Sequence, residues 1–93
     1  MSINVGAYLD DTGGQEGTLY DMLLGVIDEG LEAIKDGTLV VSAHRLRGAL
    51  AQLYVEGSVV ENLKGVTSEN VGSRSKLVVL GLNGLKDALS TVV

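Results

Sequence analysis

The 93-residue chain contains no cysteine, no proline, no phenylalanine and no tryptophan, and it has a single histidine. Without cysteine, a disulfide framework, a thiolate metal site and a thiol nucleophile are all excluded. With one histidine, a zinc site built from several histidines is excluded as well. The apolar residues make up 45 % of the chain, which is typical of a folded domain rather than a disordered one. Leucine, valine, isoleucine and alanine must therefore form the core.

Charge is unevenly distributed along the chain. Residues 1–36 hold eight acidic residues and one basic residue, whereas residues 37–93 hold four acidic and six basic residues. The acidic first part argues against nucleic-acid binding. The sequence has no EF-hand loop, no P-loop and no dinucleotide fingerprint, so we expect neither a metal nor a cofactor.

The chain is short enough to be one domain, and we predict a flexible N-terminal segment over 1–17 followed by a single helical bundle over 18–93. Four glycines and two adjacent aspartates, Asp10 and Asp11, make the first segment a poor helix candidate. The aspartates suggest either a Mg²⁺ or acid–base site or a solvated loop, and the loop is the simpler interpretation. No membrane span and no signal peptide are predicted, so we expect a cytoplasmic protein.

Two stretches, one on either side of residues 38–65, have clear helical periodicity. In residues 18–36, Thr18 is a candidate N-cap with Asp21 in the reciprocal position, and Gly37 is suited to end the helix. Its apolar face consists of Tyr20, Leu23, Leu24, Ile27, Leu31 and Ile34. In the last helix the apolar positions are Val78, Leu82, Leu85, Leu89 and Val92, and Ser73 is a candidate cap.

The central stretch, 38–65, has the longest helical pattern. Its stripe of apolar and small residues runs with spacings of four and three through Leu39, Ala43, Leu46, Leu50, Leu53, Gly57 and Val60. One helix through Gly57 is possible, and so is a break there with a restart at Ser58. We therefore predict an all-α fold, a small antiparallel helical bundle of three to four helices.

His44 lies off this stripe, on the opposite side of the helix. Its neighbours one turn away are Val41 and Gly48, so small side chains surround the ring. Arg45 and Arg47 lie on the same turns and can attract an anion. A solvated or packed histidine without function is the alternative interpretation.

The segment Ala43-His44-Arg45-Leu46-Arg47-Gly48 resembles the signature of histidine-containing phosphotransfer domains. That family has alanine, the phosphorylated histidine, any residue, leucine, a basic residue and glycine. The resemblance implies a helical bundle in which His44 accepts a phosphoryl group from an aspartate of a receiver domain. It further implies that Arg47 holds the phosphate and that Gly48 leaves room for the partner.

A second resemblance lies in the preceding helix. Leu19-Tyr20-Asp21, followed by Glu32-Ala33-Ile34 and Gly37, is similar to the first long helix of flagellar export chaperones. That resemblance implies binding of a disordered protein tail. The apolar second faces of the later helices leave a third possibility, a self-assembling structural subunit such as a phage or secretion-system component, with homo-oligomers formed through those faces. The alternative to a phosphorelay role is thus a non-catalytic helical protein.

Overall fold

The computed structural model describes residues 2–92, and the burial of side chains from 3 to 90. Five helices make up the described chain: α1 (Val5–Thr12), α2 (Glu16–Lys35), α3 (Leu39–Gln52), α4 (Ser58–Lys64) and α5 (Val71–Val92). Two short strands, β1 (Ser2–Ile3) and β2 (Val55–Glu56), form one antiparallel pair. The fold is all-α, as predicted, with five helices rather than three to four.

The long helix α2 ends where the sequence predicts, and for the predicted reason. Gly37 has a φ of 74°, a conformation that glycine adopts without steric cost. Its N–H donates to the Ile34 carbonyl, and the Thr38 N–H donates to the Ala33 carbonyl, the bond pattern of a Schellman motif. The predicted cap at Thr18 is wrong, because α2 already begins at Glu16 and no side chain caps it.

The central helical pattern is interrupted, so 38–65 is not one helix. Helix α3 ends at Gln52, and α4 restarts at Ser58, the residue proposed for a restart. Between them Tyr54 adopts a φ of 63°, which is rare for a residue with a side chain. The break changes the phase of the stripe, so that Val59 and Leu63 are buried while Val60 is only half-buried.

A single core lies between α2, α3, α4 and α5. The predicted stripe of α5 is buried as far as side chains are described: Val78, Leu82, Leu85 and Leu89. The predicted Val92 side chain lies outside the described residues, and Ser73 donates to the Asn70 carbonyl instead of capping the helix. Helix α5 begins at Val71, before the predicted cap at Ser73.

Two glycines allow α5 to approach its neighbours closely. A Cβ on Gly81 would lie 2.8 Å from the Cβ of Val59 on α4, and a Cβ on Gly30 of α2 would lie 2.7 Å from Cδ1 of Leu82. Both separations are shorter than atoms with ordinary van der Waals radii allow. Glycine at these positions is therefore part of the packing between helices.

The N-terminal segment contains a helix, so the prediction that 1–17 is a poor helix candidate is wrong. Asn4 caps α1 by accepting a hydrogen bond of 3.0 Å from the Ala7 N–H. Tyr8 is 5 % exposed, and its ring meets the Tyr54 ring edge-on with 6.1 Å between centroids. Tyr54 donates a 2.7 Å hydrogen bond to Asp11, which raises the pKa of Tyr54.

We expect Tyr8→Ala to lower the free energy of unfolding by about 2–3 kcal/mol, because it removes a buried aromatic ring and its edge-on partner. Denaturant unfolding followed by circular dichroism measures this loss. Asp10→Ala, on the exposed side of the same helix, is the matched control and should change stability by less than about 0.5 kcal/mol. Equal stability of the two variants would contradict the anchoring of α1 by Tyr8.

Candidate functional site

His44 stands on the exposed surface of α3. Leu39, Ala43 and Leu46 are buried on the inner side of this helix, which directs the intervening position outward. His44 itself is exposed, and Val41, one turn earlier, is 85 % exposed. The face that the sequence sets apart from the apolar stripe is thus solvent-accessible.

Arg47 lies against the imidazole, as expected for residues three apart on a helix. Its Nη2 is 3.3 Å from Nδ1 of His44. Because a guanidinium group only donates hydrogen bonds, Nδ1 must be the acceptor, and the neutral ring then carries its proton on Nε2. The half-buried Arg47 therefore selects one tautomer of His44 in this arrangement.

Gly48 completes the predicted motif on the next turn. A Cβ on this residue would meet no other part of the chain within 4 Å. Packing within the protein therefore does not require glycine at position 48. The open surface that it leaves is available to a molecule approaching His44 from outside.

A shallow depression joins His44 to a second helix. It lies between α3 and the end of α4, and it is lined by Val40, Ala43, His44, Arg47, Leu63, Lys64 and Val66. Lys64, 20 residues after His44 in the chain, thus shares a depression with His44 and Arg47. Periodicity gave no signal for this placement, because it depends on the break between α3 and α4.

Arg45 does not belong to this group, although the sequence suggests that it lies near the ring. Its Nη1 forms a 3.1 Å ion pair with Oε1 of Glu29 on α2. It lines a different depression, which also contains Asp28, Glu32 and Asp36. The two depressions on either side of α3 therefore have opposite charge, one acidic and one basic.

Comparison with protein-family models, with curated proteins and with solved structures finds no match to this chain. Arguments about function therefore rest on the side chains and their geometry. Within residues 2–92, no group of three or more histidine, cysteine, aspartate or glutamate side chains is arranged to hold a metal ion. In the same range, no helix is both long and apolar enough to cross a membrane.

Asp10 and Asp11, the other candidate pair, lie near the end of α1 rather than in a loop. Asp11 accepts the hydrogen bond from Tyr54, so at least one carboxylate of the pair has a structural partner. The structure brings together His44, Arg47 and Gly48 from the predicted set. It adds Lys64 and separates Arg45.

Proposed function

We propose that this protein is a phosphorelay module that carries a phosphoryl group on His44 between receiver domains. The observation that supports this proposal most directly is the exposed imidazole, which has Arg47 against one nitrogen and Lys64 in the same depression. Phosphoryl transfer requires an accessible nucleophile and cations placed where the phosphoryl oxygens lie. Gly48 keeps the approach open.

The chemical step follows from the arrangement of the ring. A neutral imidazole nitrogen with a free lone pair attacks the phosphorus of an aspartyl phosphate, and the bond from phosphorus to the aspartate oxygen breaks. The aspartate leaves as a carboxylate. At rest, Nδ1 accepts a hydrogen bond from Arg47 and Nε2 carries the ring proton, so Nε2 has no free lone pair. Arg47 must first leave Nδ1, and the proton must pass through solvent from Nε2 to Nδ1, before Nε2 can attack the phosphorus. The freed guanidinium then meets the phosphoryl oxygens. The receiver domain, not this chain, would hold Mg²⁺.

An apolar rim around His44 suits a protein partner better than a small free phosphate donor. Val40 and Val41 precede the histidine on α3, and both are exposed, to 41 % and 85 %. Contact between these exposed valines and another apolar surface contributes favourable free energy of binding, because it removes apolar area from water. A receiver domain that covers this rim would also exclude water from the transfer.

The test is phosphoryl uptake by the unmodified protein. The chain is incubated with a phosphorylated receiver domain and separately with phosphoramidate, and intact-mass spectrometry follows the addition of one phosphoryl group. We expect a product that is stable in alkali and labile in acid, mapped to His44 by peptide sequencing. Absence of uptake from both donors, or a product on serine or threonine, would reject the proposal.

An exposed apolar depression supports a second candidate, a non-catalytic binding module. Ile34, Ser75, Lys76, Val79 and Leu80 line it, between α2 and α5, and Leu80 is 69 % exposed. Such a surface fits an apolar helical segment, either the tail of an exported protein or a second copy of this chain. Light scattering separates the relay from self-assembly, because a monomer or defined dimer fits a relay and a large polymer does not.

A further inference from the structure

The basic depression beside His44 contains a residue from α4 that the phosphotransfer motif does not include. We propose that Lys64 is a binding residue for the phosphoryl dianion and that it forms, with Arg47, a pair of cations in the depression that contains His44. This inference rests on the proposed function and deepens it. It names the anion that the depression accepts and the second residue that holds it.

The position of Lys64 is set by the packing of α4. Val59 and Leu63 are buried, which fixes this short helix against the core. Lys64 is the last residue of the helix, and it is exposed next to the buried Leu63. A cation at this end also interacts favourably with the helix dipole, so its position does not oppose helix formation.

Within residues 3–90, neither cation of the depression forms an ion pair. None of the lining residues is an aspartate or a glutamate. Among residues 3–90, the two ion pairs are Arg45 with Glu29 and Lys86 with Asp28, and neither involves this depression. Two cations that line one depression with a histidine, without a carboxylate among the lining residues, favour an anion there.

The number of cations in the depression indicates the charge of the anion that it binds. A phosphoryl group carries about two negative charges near neutral pH and three acceptor oxygens. Arg47 can donate to one side of it and Lys64 to another, whereas a singly charged ion such as chloride gains less from the second cation. The depression is therefore better suited to a phosphoryl dianion than to a monovalent anion.

Inorganic phosphate is the probe for a direct test. We expect titration of the full chain at constant ionic strength to shift the His44 ring signals in NMR spectra saturably, with chloride giving no saturable shift. Lys64→Gln should weaken phosphate binding about three- to tenfold, because one charge-assisted contact of an exposed dianion is lost. Lys76→Gln removes the same charge from the α2–α5 depression and is the matched control.

Two outcomes would overturn the inference: no saturable shift with phosphate, or equal binding by the Lys64→Gln and Lys76→Gln proteins. A failure of this inference is distinguishable from a failure of the phosphorelay role, because phosphate binding does not require phosphorylation of His44. If phosphate binds through Lys64 and His44 never becomes phosphorylated, the phosphorelay role fails and the anion site stands. If His44 is phosphorylated at equal rates in both lysine variants and both bind phosphate equally, only the inference fails.

Discussion

Replacing His44 with glutamine is expected to abolish phosphoryl uptake, because the amide has no nitrogen lone pair that can attack phosphorus. Glutamine has good helix propensity, and His44 is exposed, so the fold of α3 should be unchanged.

Arg47→Gln should keep the nucleophile and slow uptake by about tenfold to 100-fold, because one cation on the phosphoryl oxygens is lost. Both rates are measured by intact-mass spectrometry with the same phosphorylated receiver.

Arg45→Gln is the matched control for Arg47→Gln. It removes an arginine two residues away whose side chain pairs with Glu29 on the other side of α3, so it should leave the rate of uptake nearly unchanged. Its free energy of unfolding should also change by less than about 1 kcal/mol, since exposed ion pairs contribute little to stability. If the two arginine variants slow uptake equally, the contact of Arg47 with His44 has no functional meaning.

Gly81→Ala is expected to cost about 2–3 kcal/mol of the free energy of unfolding. The new methyl group would lie 2.8 Å from Cβ and 3.0 Å from Cγ2 of Val59, and 3.5 Å from the Val59 backbone Cα. Val59 is fully buried and branched at Cβ, so it cannot rotate away, and α4 and α5 must separate. The loss is large against the roughly 5–10 kcal/mol expected for a domain of this size.

Two other glycine substitutions calibrate this result in the same denaturant experiment. Gly25→Ala lies within α2 and meets no other atom within 4 Å, so it should stabilise the protein by up to about 1 kcal/mol through helix propensity. Gly30→Ala should cost less than Gly81→Ala, because its one short contact is with the end of the Leu82 side chain, which can change rotamer, and the Leu46 side chain lies at an ordinary 3.8 Å. A stabilising effect of Gly81→Ala would show that α4 and α5 are not packed as described.

Most of the helical architecture could be predicted from periodicity. The buried stripes of α3 and α5 are the predicted ones as far as their side chains are described, apart from the end of the central stretch. Gly37 ends α2 in the left-handed conformation that glycine at this position indicates. These features are local, since spacing along one helix and the backbone freedom of one residue are written in neighbouring residues.

The helix in the N-terminal segment could not be predicted, because its stability depends on a residue far along the chain. A short stretch rich in glycine forms no stable helix alone. Here Tyr8 packs on Tyr54, and the Asn4 N–H donates to the Tyr54 carbonyl. The chain turns at Tyr54 with a φ of 63°, a conformation that a tyrosine in the sequence does not indicate.

The candidate site divides in the same way. The sequence alone determined that the chain is all-α, that His44 lies opposite the buried stripe of its helix, and that Arg47 is one turn away. Only the tertiary structure decided that Arg45 turns to Glu29 and that Lys64 joins His44. The reason is physical: helical periodicity relates residues within a few turns, whereas the approach of α4 to α3 depends on packing between distant segments.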